Sequence, residues 1–259
     1  MTRFVLGSLF LNCQDQIYSE EYSDFIGNRS LIESKYALDC KQPLGAMFAS
    51  LYLKLSDGYE DGTVYGYYNI PKLFGLQDTG SMEASGILQV RENPDLKLDG
   101  SGVLIGFVDT GIDYAGSIFL KQDGTTRVIA IWDQTIPAGS PIRLPAQPEL
   151  PETPENITRT PEGFLYGSEF THEQLNAAVK MADAYEGISS RDENGHGTFL
   201  ASIAAGNELP DGSFTGAAPK ADIAMVKLKP AKNRLRAYYQ IKEDAVAYQE
   251  NDIMAGVLY

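Results

Sequence analysis

The 259 residues include only two cysteines, Cys13 and Cys40, and only two histidines, His172 and His196. So few cysteines exclude a disulfide framework and a cysteine-based zinc site. A single Cys13–Cys40 disulfide and two free thiols both fit the count, and two thiols is the favoured reading. Positive charge is scarce as well: 21 Lys and Arg face 35 Asp and Glu, for a net charge of −14. That sign suits no phosphate backbone, so nucleic acid is not expected as a partner. Long apolar runs are also missing. The stretch from Met1 to Leu11 is far shorter than the ~20 residues a membrane helix needs. It also lacks a small-x-small cleavage site, so it is expected to be a buried strand or helix and not a signal peptide. Neither a membrane span nor a definite localisation follows. There are no internal repeats.

What is present divides at about residue 68. In residues 1–68, Tyr18 to Ile26 has the look of an acidic helix start, and Ala49 to Leu55 alternates like a strand. The run Asp57-Gly58-Tyr59-Glu60-Asp61-Gly62 is turn-rich and marks a boundary. Residues 69–259 alternate strand and helix signals, the pattern of a parallel sheet. Three short apolar runs, Val103 to Val108, Arg127 to Gln134 and Ile223 to Leu228, read as buried strands, the first of them central.

Seven of the 13 prolines lie between Pro137 and Pro161, so an irregular surface insertion is expected at about 133–165. A helix should follow, because Thr171 and Gln174 fit a capping box. Leu175, Ala178, Val179 and Ala182 continue its apolar stripe. The last segment, Ala237 to Tyr259, is helical in pattern and carries no stop signal, so the chain is expected to end inside an element.

Two clusters carry chemistry. Val108-Asp109-Thr110-Gly111-Ile112-Asp113 follows a buried strand directly. An Asp at the carboxyl end of a parallel strand lies where open α/β sheets place their sites, although an Asp before a turn glycine is common anywhere. Asn194-Gly195-His196-Gly197-Thr198 opens a small-residue helix that runs to Gly206. Its glycines leave the imidazole uncrowded; the plain alternative is an exposed cap residue. A third stretch, Thr215 to Ile223, contains Gly216-Ala217-Ala218-Pro219 and feeds the next strand. His172 reads as an exposed bystander, and Ser202 as a packing residue of the His196 helix.

In this order the three stretches resemble the subtilase family of serine proteases (peptidase S8). Asp-Thr-Gly-Ile-Asp is similar to its Asp block, and Gly-His-Gly-Thr to its His block. Gly-Ala-Ala-Pro is similar to the segment that follows. The order Asp then His agrees with subtilisin and not with chymotrypsin. The resemblance implies an α/β fold with a doubly wound, mostly parallel sheet and helices on both faces, incomplete at its C-terminal end. A small α+β prodomain in 1–68 would precede it and pack on it. It makes His196 the general base and Asp109 the residue that orients it. No Gly-Thr-Ser-x-Ala occurs in the chain, so the nucleophilic Ser and the oxyanion Asn are expected from a segment beyond Tyr259.

A narrower resemblance is to the clostridial Csp-type germination proteases. It rests on the 87-residue spacing from Asp109 to His196, against about thirty in subtilisin. It also rests on Ile129-Ala130-Ile131-Trp132-Asp133-Gln134-Thr135, Tyr166 to Thr171, Ile70 to Leu76 and Glu83 to Leu88. It implies limited proteolysis of a protein substrate, namely activation of a spore cortex-lytic zymogen, and a spore-associated location. Asp113-Tyr114-Ala115-Gly116 departs from the His-Pro pair that relatives commonly carry. The rival reading is a non-catalytic pseudoprotease that acts by binding; intact Asp109 and His196 favour the enzyme. No cofactor is called for, and structural calcium stays open.

Overall fold

The computed structural model describes residues 13–30, 40–54, 67–74, 98–145, 157–211 and 214–259. The expectations for Met1 to Leu11, for the Asp57–Gly62 boundary and for Glu83 to Leu88 lie outside the described residues.

The N-terminal part begins with helix α1 (Cys13–Tyr18) and continues as strands β1 (Tyr22–Asn28), β2 (Lys41–Leu44) and β3 (Phe48–Lys54). They form an antiparallel sheet in the order β1-β3-β2. The expected helix start at Tyr18 to Ile26 is therefore corrected to the end of α1, a turn and β1. Its acidic residues mimic a helix start, but pairing of Tyr22 through Asn28 with Lys54 through Phe48 overrides local propensity. The strand expected at Ala49 to Leu55 is β3. Both faces of this sheet are covered. Phe25 and Leu51 pack with Ile70 and Leu235, while Ile26 and Tyr52 pack with Trp132, Tyr166 and Ala255. Cys13 and Cys40 form no disulfide and are thiols. Burial and the neighbouring Cys13 push the Cys40 thiol up.

The rest of the chain is built on β5 (Leu104–Asp109), β6 (Val128–Asp133), β7 (Ser168–Thr171) and β8 (Asp222–Lys227). Their order is β5-β8-β6-β7, with β5, β8 and β6 parallel and β7 antiparallel to β6. Side chains alternate between the two faces, as the pleat dictates. Phe107, Ile131, Ile223 and Met225 face one core with Leu175, Ala201 and Ala205. Val108, Trp132 and Val226 face the other core with Ala255. Helices α2 (His172–Val179) and α4 (His196–Ala205) thus cover one face, with α3 (Ala184–Gly187) beside α2. Helix α6 (Glu250–Leu258) covers the other.

Three details differ from expectation. The Val103–Val108 run is an edge strand among the described residues, with Leu104 half exposed. An apolar run alone does not tell edge from centre. The segment from Ala237 is not one helix: α5 (Asn233–Tyr238) ends first, and strand β9 (Tyr248–Gln249) precedes α6. Strand β9 pairs antiparallel with β4 (Leu73–Phe74). His172 is half-buried, with its Nε2 3.0 Å from the Thr126 carbonyl. Helix α2 starts at the expected capping box of Thr171 and Gln174. The described ends of the proline-rich stretch are tied together, since Thr158 N–H donates to Ser140 O (2.8 Å) and Gly139 N–H to Thr158 O (2.9 Å).

Among the described residues no helix is long and apolar enough to cross a membrane. Among the same residues no group of three or more His, Cys, Asp or Glu is placed to hold a metal ion.

Candidate active site

The parallel strands end in register. Asp109 is opposite Lys227, which is opposite Asp133, so three charged residues form a row across the carboxyl end of the sheet. Lys227 is buried, and its Nζ donates to Arg191 O (2.7 Å) and Glu193 Oε2 (2.8 Å). Asp133 Oδ2 is 3.8 Å away. This cation draws the loop before α4 down onto the strand ends.

Asp109 closes β5 and is buried. Its Oδ1 accepts the Thr110 amide at 2.7 Å and lies 2.9 Å from His196 Nδ1. With Asp109 ionised and so an acceptor only, Nδ1 carries the proton of this bond, and the Nε2 lone pair is left for proton transfer. The His196 side chain keeps 19% of its surface exposed, against 11% for Asp109, so solvent reaches the ring more than the carboxylate.

His196 is the first residue of α4, behind Gly195 at φ +88. That left-handed conformation, which glycine adopts without strain, turns the chain sharply into the helix. Gly197 is needed for closeness: a Cβ there would lie 2.2 Å from Gly111 O and 3.2 Å from Asp109 Oδ1. The far end of α4 is held by Arg127, whose guanidinium donates to the carbonyls of Ala205, Ala221 (2.6 Å) and Ile118 (3.1 Å). A cation at a helix C-terminus also complements the dipole.

Gly195 offers no side chain to cap α4, so the first-turn amides find other acceptors. His196 N–H donates to Asn194 Oδ1 at 3.3 Å, Gly197 N–H to Thr110 Oγ1 at 2.8 Å, and Thr198 N–H to Asp192 Oδ2 at 2.8 Å. Burial pushes the Asp192 carboxyl up, but hydrogen bonds from Thr198, Thr110 and Gly195 outweigh it and hold it below the ordinary carboxylate range. Tyr248, buried in β9, is pushed up to about 12 by burial and by the charges of Asp109, Asp192 and Glu193. Strand β9 therefore runs within the field of this acidic end of the sheet.

The two residues singled out from the sequence are thus brought together, 87 positions apart in the chain. His172 and Ser202 are not part of this arrangement; Ser202 Oγ donates to Thr198 O within α4 (2.7 Å). Sequence reasoning missed Asp192, Thr110, Thr198 and Lys227. An Asp four residues before a helix-opening His, with a Thr one residue after Asp109 and another two after His196, is the signal that was there to read.

A hydrogen-bonded Asp–His pair at the carboxyl end of a parallel sheet, with the His opening a helix, is an arrangement able to take up and return a proton. Residues 100–255 match the family model of the subtilases, peptidase S8, and the chain belongs to that family. It is 30% identical over 144 residues to subtilisin-like protease SBT3.8 of Arabidopsis thaliana, covering 49% of this chain and 16% of that protein. It is 31% identical over 136 residues to subtilisin-like protease SBT2.2 of the same plant, covering 49% and 15%. The Clostridium perfringens CspB protease structure aligns at 30% identity with a TM-score of 0.41, covering 57% of this chain and 24% of that one. The matched stretch thus spans about a sixth of the length of these plant relatives.

Proposed function

We propose that this chain contributes the general base, His196, and its orienting carboxylate, Asp109, to a serine endopeptidase. The observation that carries the reading is the 2.9 Å bond from Nδ1 to a carboxylate oxygen already fixed by the Thr110 amide. It selects one tautomer and orientation of the ring and stabilises the imidazolium formed when a serine proton is taken. The serine and the oxyanion donor are assigned to a segment outside these 259 residues, because no Gly-Thr-Ser-x-Ala occurs among them. In that mechanism the serine oxygen attacks the peptide carbonyl as Nε2 takes its proton, and His196 returns the proton to the leaving amine. The Trp132-Asp133-Gln134 strand end and the long Asp109–His196 insertion support the germination-protease reading, with a spore cortex-lytic zymogen as substrate and a spore-associated location. Residues 1–68 are assigned a prodomain role, supported by the cover that β1 and β3 share with α5 and α6.

A fluorogenic peptide panel tests this. The 259-residue chain alone should give no turnover above an Asp109→Asn, His196→Ala control. A longer chain read in the same frame and carrying the serine block should hydrolyse peptides, and His196→Ala should lower its kcat by about 10⁴-fold or more. Turnover of the short chain that vanishes in the control would show that it supplies its own nucleophile. A longer chain that binds a partner yet hydrolyses nothing would favour the pseudoprotease.

A further inference from the structure

We propose that Asp192 is a positioning residue for the catalytic pair, holding His196 against Asp109 through Thr110 and Thr198. The inference rests on the reading of Asp109 and His196 as that pair. One carboxylate here gathers both halves of the site. Its Oδ1 accepts Thr110 Oγ1 at 2.8 Å and Gly195 N–H at 2.9 Å. Its Oδ2 accepts Thr198 N–H at 2.8 Å and Thr198 Oγ1 at 2.6 Å.

Each threonine passes the constraint on. Thr110 follows Asp109 directly, and its hydroxyl, having donated to Asp192, accepts Gly197 N–H at 2.8 Å. The Thr198 hydroxyl, likewise a donor to Asp192, accepts Asp113 N–H at 2.9 Å. Asp109 is therefore flanked by a residue tied to the helix that bears its partner, and His196 is flanked by residues tied to the Asp109 loop. A hydroxyl that donates its one proton to a carboxylate has only lone pairs left for the amide, so the charge on Asp192 sets the direction of both relays. An asparagine keeps the shape but places an NH2 where two donors already point. The dyad distance is then no longer imposed from both sides.

The test reads the His196 ring itself, by ¹⁵N NMR of the full 259-residue chain. With two histidines in the sequence, His172→Gln assigns the spectrum. In the native chain the Nδ1 proton shared with Asp109 should give a downfield, slowly exchanging signal. Asp192→Asn and Thr110→Val should abolish that signal while the far-UV circular dichroism stays native, and Thr110→Ser should retain it. If Asp192→Asn does not fold, the Ser-versus-Val contrast at position 110 decides alone. A purely structural Asp192 would lower the unfolding midpoint yet leave the signal and its pH dependence intact, and that result overturns the proposal. The Asp109→Asn variant separates the two readings: a signal indifferent to it removes the dyad, whereas one lost with Asp109→Asn but kept in both Asp192→Asn and Thr110→Val removes only the positioning role.

Discussion

Two regions of the molecule hold charge away from water, and they do so to different ends. Between the N-terminal sheet and α6, Asp24 is paired with Lys232, and its other oxygen accepts Gln249 Nε2 (2.8 Å) and Asn251 Nδ2 (3.1 Å). Beside it, Lys229 donates to Asp252 at 2.7 Å, and Tyr166 OH donates to the second Asp252 oxygen at 3.0 Å. Both carboxylates are fully buried. Burial works against the Lys229 charge, but Asp252 and Asp24 outweigh it and hold the ammonium above its ordinary range. At the end of the parallel sheet, by contrast, the partner is a partly exposed imidazole, a ring that can both give and take a proton. The comparison separates two uses of a buried carboxylate. Where the partner is a permanent cation and every oxygen is satisfied, the pair fixes how two elements meet. Where the partner is a titratable ring that solvent reaches, the same bond prepares proton transfer.

The sharpest way to break the comparison is to remove one carboxylate from each region. Asp24→Ala leaves the Lys232 ammonium buried and unpaired, and should cost about 3–5 kcal/mol in urea unfolding. Asp109→Asn should cost far less, because a neutral imidazole, unlike a buried ammonium, needs no counter-charge. The double replacement Asp24→Leu, Lys232→Met should recover much of the loss, since apolar substitutes for a buried pair are often tolerated. Equal losses at Asp24 and Asp109 would erase the distinction.

A smaller effect is expected from Gly197→Ala. Its Cβ would lie 2.2 Å from Gly111 O, a backbone atom that cannot swing aside as a side chain would. Helix α4 must then lift from the Asp109 loop. The cost should be about 1–3 kcal/mol, the range of overpacking. The His196–Asp109 proton signal should be lost while the Asp24 region is untouched. An unchanged signal would mean that the two halves of the site are not packed as tightly as Gly197 implies.

How much of this was legible in the sequence depends on how local each cause is. Asp109 and His196 stood out because each is embedded in its own short block, and the Thr171 cap because its partner is three residues away. The fold class followed from alternating strand and helix signals, which β5, β6, β8, α2 and α4 bear out. Strand β1 was misread because its pairing with β3 is set by residues 20 to 32 positions on. Nothing local singles out Lys229 or Lys232; only the tertiary fold brings Asp252 and Asp24 to them. Asp192 failed to register for the same reason, since three of its four donors lie within the next six residues but the fourth, Thr110, is 82 residues upstream.

The mildest perturbation is pH, and Asp192 fixes its sign. Its carboxyl is held below the ordinary carboxylate range in the folded chain. A group depressed in this way stabilises the fold fully above its unfolded pKa, about 3.9 for Asp. That contribution is lost as pH falls through the lower folded value, because the unfolded state takes up the proton first. Stability of the native chain should therefore drop with acidification below about pH 4. In a folded Asp192→Asn variant, part of that acid slope should be missing. The buried Asp24 and Asp252 pairs are the same in both proteins, so the difference between the two unfolding curves isolates position 192. The measurement is the urea midpoint of each protein at steps between about pH 2 and 6. If the curves run parallel, Asp192 is not ionised and hydrogen-bonded as the geometry has it. If they converge at low pH and separate above it, the carboxylate that ties α4 to the Asp109 loop is also one that acid releases.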